Sequence, residues 1–218
     1  MRSYRSLVLA IPLVMASAQG SAETITFGSL PPGPLPAQFT SARTGGGATG
    51  TWAVVMDASA EGDRALAQLS QDKTDYRFPL AIYMPVVLGD VEVAIRFRAV
   101  SGAVDRAAGI AVRLRDADNY YVARANALEH NVRFYRVLNG RREELRGAMV
   151  KVSSSNWHTL TLHAEGNRFQ VSFDGKQLID IRDGSISAPG RVALWTKADS
   201  VTHFDRLEIK PILPGAKP

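Results

Sequence analysis

Residues 109–126 read GIAVRLRDADNYYVARAN, two runs of alternating character on either side of Asp116-Ala117-Asp118-Asn119. Asp and Asn tolerate turn geometry, so the stretch predicts a β-hairpin. Pairing Asp116 with Asn119 sets Arg115 against Tyr120, Arg113 against Val122, Ala111 against Arg124 and Gly109 against Asn126. Residues directly opposite one another share a face. One face then carries Ile110, Val112, Leu114, Tyr121, Ala123 and Ala125, an apolar surface fit for a core. The other carries Arg113, Arg115, Tyr120, Arg124 and Asn126. The reading predicts a sheet buried on one side and polar, arginine-bearing and aromatic on the other.

The same period extends outward in both directions. Asp90–Val100 reads DVEVAIRFRAV, with Val91, Val93, Ile95 and Phe97 on one side and Glu92, Arg96 and Arg98 on the other, a half-buried antiparallel strand. Thr51–Met56 reads as a strand, Arg64–Ser70 as another by its β surroundings, and Ser41–Gly50 as a loop around Gly45-Gly46-Gly47. Four prolines between Pro31 and Pro36 cannot pair in a sheet interior. Asn139-Gly140 signals a tight hairpin after Val132–Leu138. Trp157–Ala164 and Arg168–Phe173 form a further hairpin, with Leu160, Leu162, Phe169, Val171 and Phe173 inward, His163 outward, and Trp157 expected to seal the core edge. Lys176–Ile181, Arg191–Thr196 and Phe204–Lys210 complete about a dozen short strands, the pattern of an all-β sandwich or barrel.

The first 22 residues combine Arg2 and Arg5 with an apolar run from Leu7 to Ala18 and the small residues Gly20-Ser21-Ala22, the make-up of a secretory signal peptide. Its apolar run is shorter than the ~20 residues a membrane-spanning helix needs, so no membrane insertion is expected. The expected organisation is a signal peptide over 1–22, one domain over 23–210 and a disordered tail over 211–218, in a periplasmic or secreted protein. There is no cysteine, which excludes disulfides and a lipid-modified cysteine. Without Arg2 and Arg5, 26 Lys and Arg against 21 Asp and Glu leave a net charge of about +3, with no basic cluster. That excludes the electrostatic footprint of a nucleic-acid binder.

Several phrases taken together carry a resemblance. Arg115–Glu129 (RDADNYYVARANALE), Tyr135–Gly140 (YRVLNG), Trp157–Leu160 (WHTL) and above all Leu194–Asp205 (LWTKADSVTHFD) resemble exported bacterial proteins of the concanavalin A-like lectin/glucanase superfamily. Within it they look most like the group related to the 3-keto-disaccharide hydrolase domain and labelled family-16-glycoside-hydrolase-like. The resemblance spans about Thr24 to Ile209. It implies a jelly-roll sandwich of two antiparallel sheets, with any ligand on the concave one. The fold hosts lectins, hydrolases and interaction modules alike.

Glycoside hydrolysis uses two carboxyl groups about 5 to 9.5 Å apart. The family 16 enzymes place theirs as Glu-x-Asp-x-Glu, and none of the eight glutamates here stands in that spacing. Carboxylates or a histidine at the rim of the polar face remain as acid/base candidates: Asp116, Asp118, Glu129 and His130. The binding reading rests on Arg113, Arg115, Arg124 and Asn126 with Tyr120, and on Trp195 and Lys197, which the alternation of RVALWTK places on the same face. Arginine offers a planar fork of donors to vicinal hydroxyls, and an aromatic ring stacks on a sugar's apolar face. No cofactor is required. A structural calcium is expected at most, with Asp199 and Asp205 as the residues to hold it. Three readings stand: a carbohydrate- or glycoconjugate-binding module, a glycoside hydrolase acting on 3-keto or ordinary glycosides, and a non-catalytic envelope interaction module.

Overall fold

The computed structural model describes residues 21–213. The expected signal peptide, except for its last two residues, and the tail beyond Leu213 lie outside them. Among the described residues sixteen antiparallel strands form two packed sheets. The first sheet runs in the order β14 (Lys176–Arg182), β13 (Arg168–Phe173), β12 (Trp157–Glu165), β7 (Val91–Ser101), β16 (Val201–Pro211), β5 (Arg64–Gln68), β4 (Trp52–Met56) and β2 (Gly33–Pro34), with β1 (Glu23–Thr26) also on β16. The second runs β11 (Arg141–Met149), β10 (Asn131–Leu138), β9 (Asn119–Asn126), β8 (Ala107–Asp116), β15 (Gly190–Trp195), β6 (Arg77–Leu88) and β3 (Phe39–Gly45). No α-helix lies among the described residues, only a 3₁₀ turn at Glu61–Asp63. The expected all-β jelly-roll sandwich is the observed fold.

One core fills the space between the sheets. Val93, Ile95, Phe97, Leu160, Leu162 and Phe169 from the first meet Ile110, Val112, Tyr121, Ala123, Phe134 and Leu194 from the second. Each fully buried side chain of this size is worth about 1.5–3 kcal/mol against exposure.

The second sheet is strongly curled. In a flat sheet β6 and β11 would stand five strand spacings apart, about 24 Å. Instead the Arg142 guanidinium of β11 lies 4.4 Å from the Phe78 ring centre of β6. Beside it, the Tyr76 hydroxyl donates to the Gly140 carbonyl (3.0 Å) and accepts the Arg142 N–H (2.6 Å). The outer face of this sheet is therefore concave. Its floor is a second apolar cluster of Phe78, Leu80, Ala111, Leu114, Tyr120, Val122, Tyr135 and Trp195.

The hairpin of β8 and β9 keeps Asp116 opposite Asn119, as read from sequence, but the rest of the register is shifted by two residues. Gly109 faces Arg124 and Ala111 faces Val122, because Arg113-Leu114-Arg115 form a bulge opposite Tyr120 alone. Arg113 takes a left-handed backbone (φ 50°). The bulge exchanges the two neighbours: Leu114 turns to the concave floor, and Arg113 turns inward over the Phe169 ring.

Other departures have local causes. Phe39–Gly45 pairs along β6, although a loop was expected from Ser41 onward. β6 itself, whose run Phe78–Tyr83 is buried on both faces and contains Pro79, shows no alternation. At the start of β12 the register sets His158 against Phe97 and Trp157 against Arg98. The histidine is thus the core residue, and Trp157 lies on the outer surface beneath Arg96. Pro211 still pairs with Val91, so the last strand passes the expected domain boundary.

Candidate functional site

The polar part of the concave face lies where β9, β10 and β11 run side by side. Arg124 of β9 and Arg133 of β10 are direct cross-strand neighbours, a like-charge pair that is unfavourable unless bridged. Glu129, from the turn joining the two strands, bridges it. Its Oε2 accepts from Arg124 Nη2 at 2.7 Å and stands 3.9 Å from Arg133 Nη2. Arg133 in turn donates to Glu144 of β11 at 2.6 Å. Arg124 also donates to Asn131 (2.6 Å) and to the Tyr135 hydroxyl (3.1 Å). Cations and carboxylates thus alternate across three strands.

A second group adjoins the first. Lys197 pairs with Asp105 at 3.0 Å and with Asp75 at 2.6 Å. Asn126 links the two groups: its amide donates to Asp105 (2.9 Å), and its oxygen accepts the Leu128 and Glu129 N–H groups (2.8 and 3.1 Å). The loop bearing Asp105 is held by Asp199, whose carboxylate accepts the N–H groups of Ala103, Val104 and Asp105 at 2.8–3.0 Å. Buried Arg77 holds the loop after β15 by donating to the Ala198 carbonyl at 2.5 Å.

Beside this network a cavity of about 230 Å³ opens between Asn131, Arg133, Glu144, Gly147, Ala148 and Met149. Gly147 keeps it open, since a Cβ there would come within 2.9 Å of Glu144 Oε1 and 3.3 Å of Arg133 Cγ.

The two best-placed carboxyls are pushed in opposite directions. Burial raises Asp105, against the pull of Lys197. Burial also works to raise Glu129, but hydrogen bonds from Arg124 and Asn131 outweigh it and bring the group down to about 2 from its ordinary 4.5. On the opposite sheet, burial of Asp57 is likewise outweighed by hydrogen bonds from His203 and Ser59, leaving it at about 2 against 3.8. A carboxylate depressed in the folded state adds stability above its unfolded pKa and loses it as pH falls through the folded value. The thermal midpoint should therefore fall between pH about 4.5 and 2, and Glu129→Gln and Asp57→Asn should each flatten the fall. Asp105 and Asp205, both raised by burial, contribute with the opposite sign. A midpoint constant down to pH 2 would refute this assignment.

Of the residues singled out from sequence, Arg124, Asn126, Lys197 and Glu129 come together here. Arg113 does not: it is 2% exposed and donates to the carbonyls of Gly89, Ile186 and Gly166 and to Asp90. Tyr120 and Trp195 are on the concave side but wholly buried in its floor, Tyr120 hydrogen-bonded to Thr44 (2.7 Å) and Trp195 stacked on Phe78 at 5.3 Å. The expected aromatic platform is thus not exposed. Arg115 stands exposed at the bulge, and His130 is exposed in its turn. Asp116 accepts the Asp118 N–H and the Asn119 amide within its own turn. That turn is a full length of β9 from Glu129, about 23 Å.

Asp199 and Asp205, the residues expected to hold a structural calcium, are both engaged within the protein. Asp199 is engaged by three N–H groups. One oxygen of Asp205 accepts the Glu61 N–H and pairs with Arg96. Among the described residues no group of three or more His, Cys, Asp or Glu side chains could hold a metal. Asp75, Asp105, Asn131, Arg133, Tyr135 and Glu144 were not singled out from sequence. For Asn131 and Arg133 the signal was there: they alternate with core residues Val132 and Phe134, which places them beside Arg124.

No curated protein matches the chain in sequence. Among solved structures it is similar to the carbohydrate-binding module CBM66 from Bacillus subtilis, at 20% identity and a TM-score of 0.62 over 80% of this chain and 97% of that one. The Bacillus licheniformis β-glucanase is similar at 14% identity and a TM-score of 0.56, covering 89% of this chain and 100% of the enzyme. The exoplasmic/lumenal domain of VIP36, in its Ca2+/Man-bound form, is similar at 12% identity and a TM-score of 0.57, over 83% and 86% of the two chains. These likenesses show the fold, a jelly-roll sandwich of two antiparallel sheets. One family model matches residues 70–212, more than half of the chain, and includes every residue of the charged network. The chain belongs to the family that this model describes, the galactocerebrosidase C-terminal lectin domain.

Proposed function

We propose that this carbohydrate-binding β-sandwich takes its ligand in the groove on the concave face at Glu129, Arg133 and Glu144, where Arg133, Glu144 and Met149 line the cavity, and that it works after export, in the periplasm or outside the cell. The observation that carries the reading is the fixed alternation of donors and acceptors across β9, β10 and β11. A sugar hydroxyl both donates and accepts, and a row of carboxylates and guanidinium groups serves both roles. These side chains hold one another in place, so little rotamer freedom is lost when a ligand arrives.

Arg133→Ala is the direct test. Its guanidinium is 36% exposed, so the thermal midpoint should move by no more than about 2 °C, while a hydrogen-bonded charge removed from the ligand should weaken binding about 10- to 100-fold. Titration of an oligosaccharide panel that includes 3-keto glycosides, following thermal shift and released sugar, measures both. Undiminished binding by the folded variant removes this groove from the reading.

The opposite pushes on Asp105 and Glu129 favour one second reading. A glycosidic acid/base pair needs one carboxyl held protonated to higher pH and one held ionised, and Asp105 and Glu129, both joined to Asn126, are pushed in those two directions. Under that reading the narrower likeness to the 3-keto-disaccharide hydrolase domain carries activity as well as fold. Released sugar in the same panel, lost in Asp105→Asn, would establish it.

A further inference from the structure

Among the described residues the two sheets end in four strands, and three of these are closed to further pairing. β11 carries Arg141, Arg142, Glu143, Glu144 and Arg146, with a bulge at Leu145. β14 carries Lys176, Asp180 and Arg182, with a bulge at Leu178. β2 is two residues long and ends in Pro34. Charge, bulges, proline and shortness are what keep a sheet edge from pairing with another chain. β3 lacks this protection: it runs FTSARTG against β6 without a bulge, and Arg43 is its single charge. Gln38 accepts the Met84 N–H and Gly46 donates to the Tyr76 carbonyl (both 2.8 Å), so the even-numbered residues of β3 bond to β6 and the odd-numbered ones turn outward. The main-chain N–H and C=O of Ser41 and Arg43 have no partner among the described residues.

A second copy of the chain satisfies these groups. With Ser41 set against the partner's Arg43, the two residues exchange both hydrogen bonds on either side of a twofold axis, and Gly45 donates to the partner's Phe39 carbonyl. The Phe39 N–H is already given to Pro36 (2.8 Å) and needs no partner. Ala42 meets its own copy at the axis, where close approach favours a small side chain. Arg43 meets serine, so no like charges oppose one another. On the same end of the sandwich the segment Leu30–Ala37 joins β2 to β3 and, with Val54, lines an apolar cavity of about 420 Å³. A strand of seven residues is about 24 Å long and the layers stand about 10 Å apart. That end face covers roughly 500 Å² of each copy, about 1,000 Å² in all, the lower bound for a specific interface. We propose that the chain forms a twofold dimer in which β3 pairs antiparallel with β3 of a second copy, Ser41 against Arg43. The axis stands perpendicular to the sheet, so both concave faces open to the same side, and on the carbohydrate reading above the dimer holds a ligand-bearing surface with two grooves at once.

Sedimentation equilibrium of the exported protein at about 5 to 500 μM tests this, since an interface of that size gives a reversible dimer with a micromolar Kd. Ser41 is exposed and its side chain can be exchanged without touching the core. Ser41→Glu sets a carboxylate opposite the partner's Arg43 twice in each dimer and should tighten association about tenfold, whereas Ser41→Arg sets like charges there and should weaken it about tenfold. Monomer throughout, in the wild type and in Ser41→Glu alike, overturns the proposal and leaves the edge to a strand of another protein. A dimer that neither variant changes uses a different face, and one that both variants weaken uses a different register; either result overturns it as well. All of these are read without sugar, so they leave the carbohydrate reading to the Arg133→Ala titration.

Discussion

Arg113→Ala should lower the stability of the domain by about 3–5 kcal/mol, the range for breaking a buried charged network. The side chain is 2% exposed, and its guanidinium reaches three carbonyls from three separate segments: Gly89 at 3.0 Å, Ile186 at 3.0 Å and Gly166 at 2.6 Å. The Asp90 pair at 3.2 Å adds less, because that carboxylate is 41% exposed and solvent screens it. Removing the fork leaves polar atoms facing a hole between the sheets, each costing about 1–3 kcal/mol if water does not reach it. Lysine should not restore the loss, since an ammonium cannot reproduce the planar set of donors. Urea unfolding at neutral pH measures it, and a loss under 1 kcal/mol would show that the three segments hold without this pin.

That residue also shows where the sequence ceases to be readable. Arg113-Leu114-Arg115 alternates as a regular strand would, and nothing in the hairpin itself announces two extra residues. The bulge is decided by what surrounds it. Gly190 of β15 approaches so closely that a Cβ there would lie 2.3 Å from the Arg113 carbonyl carbon, and the carbonyls that receive the guanidinium come from loops far along the chain. Local period two therefore placed Ile110, Val112, Tyr121, Ala123 and Ala125 in the core correctly and misplaced Arg113 and Leu114.

The candidate site was legible in the same uneven way. Arg124 and Asn126 follow from alternation along β9, and Lys197 from alternation through β15. Asp105 and Asp75 sit in loops, where no period assigns a face. Only the Asp199 carboxylate and the Arg77 guanidinium, acting at a distance in sequence, bring those loops to the groove. The concavity was least visible, because it depends on contact between strands at positions one and six of the sheet.

Curvature also reverses the expectation for Trp195. On a flat sheet its alternation would present the ring to a ligand, and Trp195→Ala would abolish binding at no cost to the fold. In the curled sheet the ring is fully buried, stacked on Phe78 with an 18° tilt and packed with Tyr120 and Ala111. Trp195→Ala should then destabilise the domain by about 3–5 kcal/mol through the cavity it leaves. With about 2–4 °C per kcal/mol for a domain of this size, the thermal midpoint should fall by roughly 10 °C. Trp195→Phe separates packing from polarity. The indole N–H is buried facing the Tyr120 hydroxyl, so phenylalanine loses ring area and that contact but keeps most of the packing, and its cost should be below that of alanine. A thermal melt of the three proteins decides the point: a stable Trp195→Ala protein that no longer binds sugar would return the tryptophan to the binding surface, whereas a fall in midpoint that phenylalanine largely restores makes it the floor on which the groove is built.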